Sequence, residues 1–346
     1  MTDEALRHAV RRLAGGHHLG ADEAGAAFDV VMGGGATPAQ VAALLMGLRV
    51  KGETPAEVAG AARALRRAMI TIDADTPAAL VDTCGTGGGA VPTFNISTAA
   101  ALAAAACGVR IAKHGNRSFT SRSGSADLLE ALGMRIELTP ARMAAILREV
   151  GIVFMFAPLM HPAMRHVGPV RRELAIPTVM NMIGPLANPA RAGRQVIGVA
   201  DRNRLDLIAG ALHTLGTEHA LVVHGEPGMD EISPIGVTHV RELRGDAPVR
   251  EWTIDPADLG FAGLGAPELA GGEPLENAVL VREVLGGGGN PAARAAVILN
   301  AAAALFVHRG TSTYAALVDE VRETLRTGAP QRVLQDLVAA STVPAG

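Results

Sequence analysis

The chain has 346 residues, 49% of them hydrophobic and 19% charged, which excludes a disordered polymer and fits one large domain or a large and a small one. Its formal net charge of −3 gives no electrostatic reason to expect nucleic acid or an anionic membrane as partner. Aromatic residues make up only 3%, so aliphatic side chains must supply most of the packing.

The opening residues Met1-Thr2-Asp3-Glu4-Ala5 lack the features of a signal peptide. The longest apolar run, residues 99–109, falls short of the ~18 residues a membrane span needs. A cytoplasmic protein is the expectation. Cys84 and Cys107 lie far apart without a metal-ligand pattern and read as small buried residues in a reducing compartment.

Up to about residue 75 the pattern predicts helices only. Gly33-Gly34-Gly35 ends one of them. Thr37-Pro38-Ala39-Gln40 and Thr54-Pro55-Ala56-Glu57 open the next two, each with Thr at the N-cap, Pro at the first helical position and Gln or Glu at the third. Val41, Leu44, Leu45 and Leu48 recur at helical spacing, and Gly52 stops that helix. These residues make a small helical domain.

From about residue 79 short aliphatic runs alternate with helical stretches. Residues 80–83, 109–113, 135–138, 152–156, 195–200 and 220–224 read as strands, and 97–107, 125–132 and 140–150 as helices. The alternation predicts an α/β fold with a mostly parallel sheet, whose ligands sit where loops at the carboxyl ends of strands converge. The unbroken run from Gly286 to Gly289 reads as a flexible connection without function. From Asn290-Pro291 the chain turns helical again, first in an Ala-rich helix reaching residue 307, then in two more ending near residue 340. Internal repeats and low-complexity tails are absent from the sequence.

After the strand ending at Cys84 comes Gly85-Thr86-Gly87-Gly88-Gly89, then Phe94-Asn95-Ile96-Ser97-Thr98 at the mouth of a helix. Glycines let backbone approach a ligand, and free N–H groups at a helix start attract phosphate. Asn95, Ser97 and Thr98 add side-chain donors and acceptors. A merely tight turn would also account for such a loop. No Gly-Lys-Ser/Thr follows, which excludes a Walker loop, and no acidic residue closes the next strand as a dinucleotide fingerprint would have it.

That next strand ends in Lys113-His114-Gly115-Asn116-Arg117-Ser118 and continues through Ser121, Arg122, Ser123, Gly124 and Ser125 into a helix. Three cations and four serines in thirteen residues, at the same sheet edge, suit a polyanion. Lys113 and Arg117 can neutralise phosphate, Arg117 by a forked contact. A solvated surface loop is the plain alternative.

Residues 82–133 closely resemble the signature stretch of the anthranilate phosphoribosyltransferases: a Gly-Thr-Gly-Gly turn, Phe-Asn-Ile-Ser-Thr, Lys-His-Gly-Asn-Arg and Ser-Gly-Ser-Ala-Asp. Further family-like motifs follow in family order. They are His161-Pro162-Ala163-Met164-Arg165-His166, Pro169-Val170-Arg171-Arg172-Glu173-Leu174, Gly184-Pro185-Leu186-Ala187-Asn188-Pro189, and Val223-His224-Gly225 with Asp230-Glu231-Ile232. The resemblance covers essentially the whole chain.

The resemblance implies a reaction joining anthranilate to phosphoribosyl pyrophosphate with Mg²⁺, on the route to tryptophan. Gly85, Gly88, Gly89, Thr93, Asn95, Ile96, Ser97, Thr98, Lys113, His114, Gly115, Asn116, Arg117, Ser118, Phe119, Thr120, Ser121 and Ser125 match positions that hold phosphoribosyl pyrophosphate. Gly85, Asn116, His161 and Arg171 match positions facing anthranilate, and Ser97, Asp230 and Glu231 match those for Mg²⁺. The same resemblance implies a small helical domain, residues 1–76 joined by helices from about 160–180, set on an α/β domain, residues 77–346. A homodimer is implied too, with the site in the cleft between domains.

The residue types agree with that chemistry. Mg²⁺ is a hard cation that takes carboxylates, hydroxyls and diphosphate oxygens, and Arg171 could pair bidentately with a carboxylate. Taken alone, Asp230-Glu231 could be an exposed acidic turn, Arg171 a surface arginine and His161 a capping residue. No general base stands out; an aromatic amine needs little deprotonation before attack, so orientation and electrostatic stabilisation can suffice.

One departure matters. The family usually has Asp after Gly-Thr-Gly-Gly, and here Gly89 stands there, followed by the apolar Ala90-Val91-Pro92. Metal dependence, affinity or acceptor choice could differ accordingly. Competing readings are a pyrimidine nucleoside phosphorylase of the same architecture, whose lysine-bearing first loop is absent, a relative with a changed acceptor, and a non-catalytic nucleic-acid binder, which the net charge opposes.

Overall fold

The structure is a computed structural model and describes residues 3–118 and 122–343. Its N-terminal helices are α1 (Glu4–Ala14), α2 (Ala21–Met32), α3 (Pro38–Lys51) and α4 (Pro55–Ala68). The caps act as their sequence requires. Thr37 Oγ1 accepts from the Gln40 amide at 3.3 Å while Gln40 Oε1 accepts from the Thr37 amide at 2.9 Å, and Thr54 and Glu57 repeat the exchange. Glu57 is fully buried, and Lys51 Nζ at 2.9 Å supplies its counter-charge.

Among the described residues seven strands form one sheet: β1 (Val81–Gly85), β2 (Ile111–Gly115), β3 (Ile152–Phe156), β4 (Arg194–Gly198), β5 (His219–Gly225), β6 (Thr238–Arg244) and β7 (Arg250–Ile254). Their spatial order is β3-β2-β1-β4-β5-β6-β7, with β1 to β5 mutually parallel and β6 and β7 antiparallel at one edge. The chain steps one way from β1 to β3 and the other way from β4 to β5. Strand order therefore reverses between β1 and β4, the place at which open α/β sheets bind ligands beyond the carboxyl ends of their strands.

Helices α5 (Ile96–Ala106), α6 (Ser125–Ala131), α7 (Pro140–Val150), α8 (Ala157–Met160), α9 (Gly168–Leu174), α10 (Val179–Ile183) and α11 (Leu205–Thr214) lie between the first five strands. After β7 come α12 (Pro274–Leu285), α13 (Pro291–Arg309), α14 (Tyr314–Arg326) and α15 (Ala329–Thr342). Strand alternation sends neighbouring side chains to opposite faces, and each face has its own core. Val196, Leu221 and Val223 pack with residues of α5 and α13. Ile197, Ala220 and Val222 share the other core with α1 to α4, α11, and Val167, Val170, Val179 and Ile183.

By length and composition the 19-residue α13 could cross a membrane, but 83% of its apolar window is buried inside the protein. It is the central core helix. Two other expectations change. Residues 135–138 form no strand: Met134, Ile136 and Leu138 are buried and Arg135 and Glu137 exposed, but the segment lies over the core without a neighbouring strand. The Arg135 amide is satisfied instead by Ser341 Oγ at 3.0 Å. The glycine run is an ordered turn, with the Gly286, Gly287 and Gly288 amides bonded to the Arg282, Val284 and Glu283 carbonyls. The hairpin β6–β7 and helix α12 are additions, in a region where the sequence pattern marked no element.

Candidate active site

The loop after β1 lies at the sheet's reversal point. Gly87 and Gly88 take φ of 72° and 81°, a path only glycine follows without strain. The loop folds over the end of β4: the Thr86 amide donates to the Gly198 carbonyl at 2.9 Å, and the Ala200 amide to Thr86 Oγ1 at 3.2 Å. The Gly87 amide donates to Asp230 Oδ2 at 2.9 Å, so the loops after β1 and β5 meet across β4. They can do so because Gly198 has no side chain; a Cβ there would fall 1.7 Å from the Asp230 carbonyl oxygen.

Beside this loop α5 begins, its first amides taken up within the protein, that of Ile96 by the Phe94 carbonyl at 2.7 Å and that of Thr98 by the Asn95 carbonyl at 3.2 Å. The Ser97 amide donates to Glu231 Oε1 at 3.2 Å. Lys113 Nζ, on buried β2, donates to Ser97 Oγ at 3.2 Å and to the Thr83 carbonyl. Burial lowers the Lys113 pKa, opposed by the nearby carboxylates of Asp82 and Glu231. Burial of its carboxyl, reinforced by Asp230 next to it, pushes Glu231 up to about 8; burial raises Asp230 as well. Two adjacent carboxyls that resist joint ionisation are a place where a divalent cation is electrostatically welcome. Among the described residues no three His, Cys, Asp or Glu converge on one point. A cation here would take hard oxygen ligands from Asp230, Glu231 and the Ser97 hydroxyl and complete its shell from substrate and water, a pattern that suits Mg²⁺.

His114 and His161 are both buried and meet Nε2 to Nε2 at 3.1 Å. Burial depresses both pKa values, to about 3 for His114 and about 4 for His161, so both are neutral near pH 7. Below them Asp82, fully buried, accepts from the His114 amide at 3.1 Å and from Asn188 Nδ2 at 2.7 Å. One carboxylate thus ties the end of β2 and the 184–189 segment to β1. Its own pKa is raised to about 6, chiefly by burial.

The second loop is pulled tight against α6. Asn116 Oδ1 accepts from the Arg117 amide at 2.7 Å, and its carbonyl accepts from Ser125 Oγ at 3.3 Å. The Ser118 and Gly124 amides both donate to Asp127 Oδ2. Arg117, assigned to phosphate from the sequence, points its guanidinium at Glu130 and Asp127 and lies 5.5 Å from the Phe156 ring centre. Phe119, Thr120 and Ser121 lie outside the described residues.

Gly85, Gly88, Gly89, Thr93, Asn95, Ile96, Ser97 and Thr98 therefore follow one another from the end of β1 into α5, with Lys113, Asp230 and Glu231 bonded to that stretch. Thr98 Oγ1 is buried and has no hydrogen-bond partner among the described residues. Arg171 stands apart on half-buried ground in α9, and its guanidinium donates to no described residue. Burial lowers its pKa. Sequence patterns assigned no role to Asp82, Asn188 or Asn277. Asn277 Nδ2 donates to Asn95 Oδ1 at 3.0 Å, and Asn95 Nδ2 to the Ser123 carbonyl at 2.9 Å, linking α12 to both loops. Asp82 and Asn188 stood inside family-like motifs, which was the available signal; Asn277 carried none.

Comparison with known proteins agrees with this geometry. Residues 77–331 match the glycosyl transferase family, a/b domain, and residues 7–69 its helical bundle domain. The chain is 47% identical over 336 residues to the anthranilate phosphoribosyltransferase of Roseiflexus sp. (strain RS-1), covering 97% of this chain and 98% of that one. The crystal structure of the Thermus thermophilus anthranilate phosphoribosyltransferase superposes with a TM-score of 0.91 at 40% identity, covering 97% and 99% of the two chains. The Saccharomyces cerevisiae enzyme in complex with PRPP and Mg superposes with a TM-score of 0.89 at 26% identity, covering 99% of each chain. With a family match over most of its length and near-half identity along almost all of it, the chain belongs to the anthranilate phosphoribosyltransferase family.

Proposed function

We propose that this chain transfers the phosphoribosyl group of phosphoribosyl pyrophosphate to anthranilate. The amine nitrogen forms a bond to C1 of the ribose, the bond from C1 to the pyrophosphate oxygen breaks, and the amine proton leaves to solvent. The observation that carries this reading is the joining of the Gly87 amide, Ser97, Lys113, Asp230 and Glu231 at the reversal point of the sheet. The glycine loop and the positive end of the α5 dipole attract the phosphates, and Lys113 adds a positive charge beside them. Ser97, Asp230 and Glu231 hold Mg²⁺, which neutralises charge on the departing pyrophosphate. Asn116, His161 and Arg171 form the anthranilate side, where Arg171 pairs with the carboxylate. The buried, neutral imidazoles of His114 and His161 shape this wall and keep water from it.

The same reading places the domain division at residue 76, with the 160–180 segment joined to the helical part, and includes a homodimer and a cytoplasmic location. Val167, Val170, Val179 and Ile183 share a core with α1 to α4, which supports joining that segment to the helical part. The decisive assay follows anthranilate fluorescence with the purified chain, Mg²⁺ and phosphoribosyl pyrophosphate. Loss of fluorescence only with all components present is expected; no loss, with turnover of a nucleoside and phosphate instead, would replace this reading. Light scattering over a range of concentrations tests the dimer.

A further inference from the structure

From Ala295 to Val307 every residue of α13 is buried, and all but one are apolar. The exception is Asn300, 4% exposed. An amide in such a place is costly unless its hydrogen bonds are made. Here two of its three hydrogen bonds are made to a single residue outside the helix. Asn300 Oδ1 accepts from the Ile232 amide at 2.9 Å, and Nδ2 donates to the Ile232 carbonyl at 2.9 Å and to Ala296 one turn back, also at 2.9 Å. The side chain thus grips both polar groups of a single residue, as a strand neighbour would. Ile232 directly follows Asp230 and Glu231, and its side chain is fully buried. Asn300 also lines, with Ser97 and Glu231, the small cavity beneath the site.

We infer that Asn300 is a positioning residue that sets the Asp230–Glu231 turn against Ser97 from below. The backbone of this segment is held from several sides, among them by the close approach of the Asp230 carbonyl to Gly198, by Asn300 at Ile232, and by Thr238 Oγ1, which accepts from the Ser233 amide at 2.9 Å. Of these only Asn300 comes from the core helix behind the sheet. Only an amide side chain offers donor and acceptor at the required spacing. Asp would lose the donor and bring a third carboxylate toward Glu231; Ala or Ser would leave the turn free to shift. The inference rests on the reading of Asp230 and Glu231 as Mg²⁺ ligands.

The test uses the full chain and the variants Asn300→Ala, Asn300→Ser and Asp230→Asn, each checked for folding by circular dichroism. Calorimetric titration measures phosphoribosyl pyrophosphate binding with Mg²⁺ and with EDTA, and steady-state rates give the half-saturating Mg²⁺ concentration and the KM for anthranilate. The inference expects a rise of about fivefold or more in half-saturating Mg²⁺, and a matching loss of the Mg²⁺-dependent part of binding. Binding in EDTA and the KM for anthranilate should stay within about twofold. Folded Asn300 variants with wild-type Mg²⁺ dependence, or with all constants worsened alike, overturn it, as does failure of both Asn300 variants to fold. If Asp230→Asn also leaves Mg²⁺ dependence unchanged, the metal reading itself has failed.

Discussion

The carboxylate of Asp230 lies against Gly89, where an added Cβ would stand 3.0 Å from Asp230 Oδ1 and 3.2 Å from the Gly228 carbonyl oxygen. Gly89 is not among the glycines with positive φ, so its backbone accepts an L side chain without strain. A side chain added at this position would therefore meet the Asp230 carboxylate directly.

Gly89→Asp should place a second carboxylate beside Asp230. Without metal the like charges and the tight contact destabilise the loop, at a cost of about 1 kcal/mol. With Mg²⁺ the added ligand should change the concentration dependence of the rate. Rate against Mg²⁺ at saturating anthranilate checks this, and superimposable curves from a folded variant would make the position functionally silent.

Asp230→Asn with Glu231→Gln should lower turnover about 100-fold or more, a loss of ~2.7 kcal/mol of transition-state stabilisation. Stability should move the other way. Glu231 has a folded pKa near 8, above its ordinary 4.5, so its ionisation opposes folding as pH rises between these values. The metal-free double variant should melt at or above the wild-type temperature at pH 8, and the difference should vanish at low pH. A large drop in melting temperature at pH 8 would assign the pair a structural role.

Arg171→Ala should raise the KM for anthranilate about 30-fold, the loss expected for a forked, charge-assisted contact worth roughly 2 kcal/mol. The KM for phosphoribosyl pyrophosphate should change little, because no hydrogen bond of Arg171 reaches the described residues of the phosphate loops. Equal changes in both constants would remove Arg171 from the anthranilate side.

The His114–His161 pair predicts acid sensitivity. Both folded pKa values lie below the ordinary 6.5, so their contribution is complete above that pH and is lost as pH falls toward about 4 for His161 and about 3 for His114. Each titration steepens the stability profile by up to about 1.4 kcal/mol per pH unit. Between pH 6.5 and 4.5 the melting temperature of His161→Gln should fall less steeply than that of wild type. Parallel curves would show that His161 titrates normally.

The capping boxes at Thr37 and Thr54, the parallel strands and the helix 140–150 were legible in the chain because they rest on local chemistry: a side chain reaching three residues on, or a period of two or 3.6. Periodicity misled at residues 135–138, where the alternation of buried and exposed residues is real but no neighbouring strand completes a ladder. The hairpin β6–β7 escaped notice although its partners are neighbours in the chain, because Arg241, Glu242, Arg244, Arg250 and Glu251 interrupt the aliphatic runs by which the other strands were marked.

The site divides the same way. The sequence by itself marked the candidate residues, Gly85 through Ser97 and Lys113 by their types and spacing and Asp230-Glu231 through the family resemblance, since glycine freedom and helix starts are properties of short segments. Only the tertiary structure decided how they meet. The reversal of strand order between β1 and β4 brings Gly87 to Asp230, 143 residues away in the chain. It also turned Arg117 toward Glu130 and set Asp82, Asn277 and Asn300 behind the loops. A buried Asp or Asn shows its purpose only through partners supplied by other elements, and local sequence does not specify those partners.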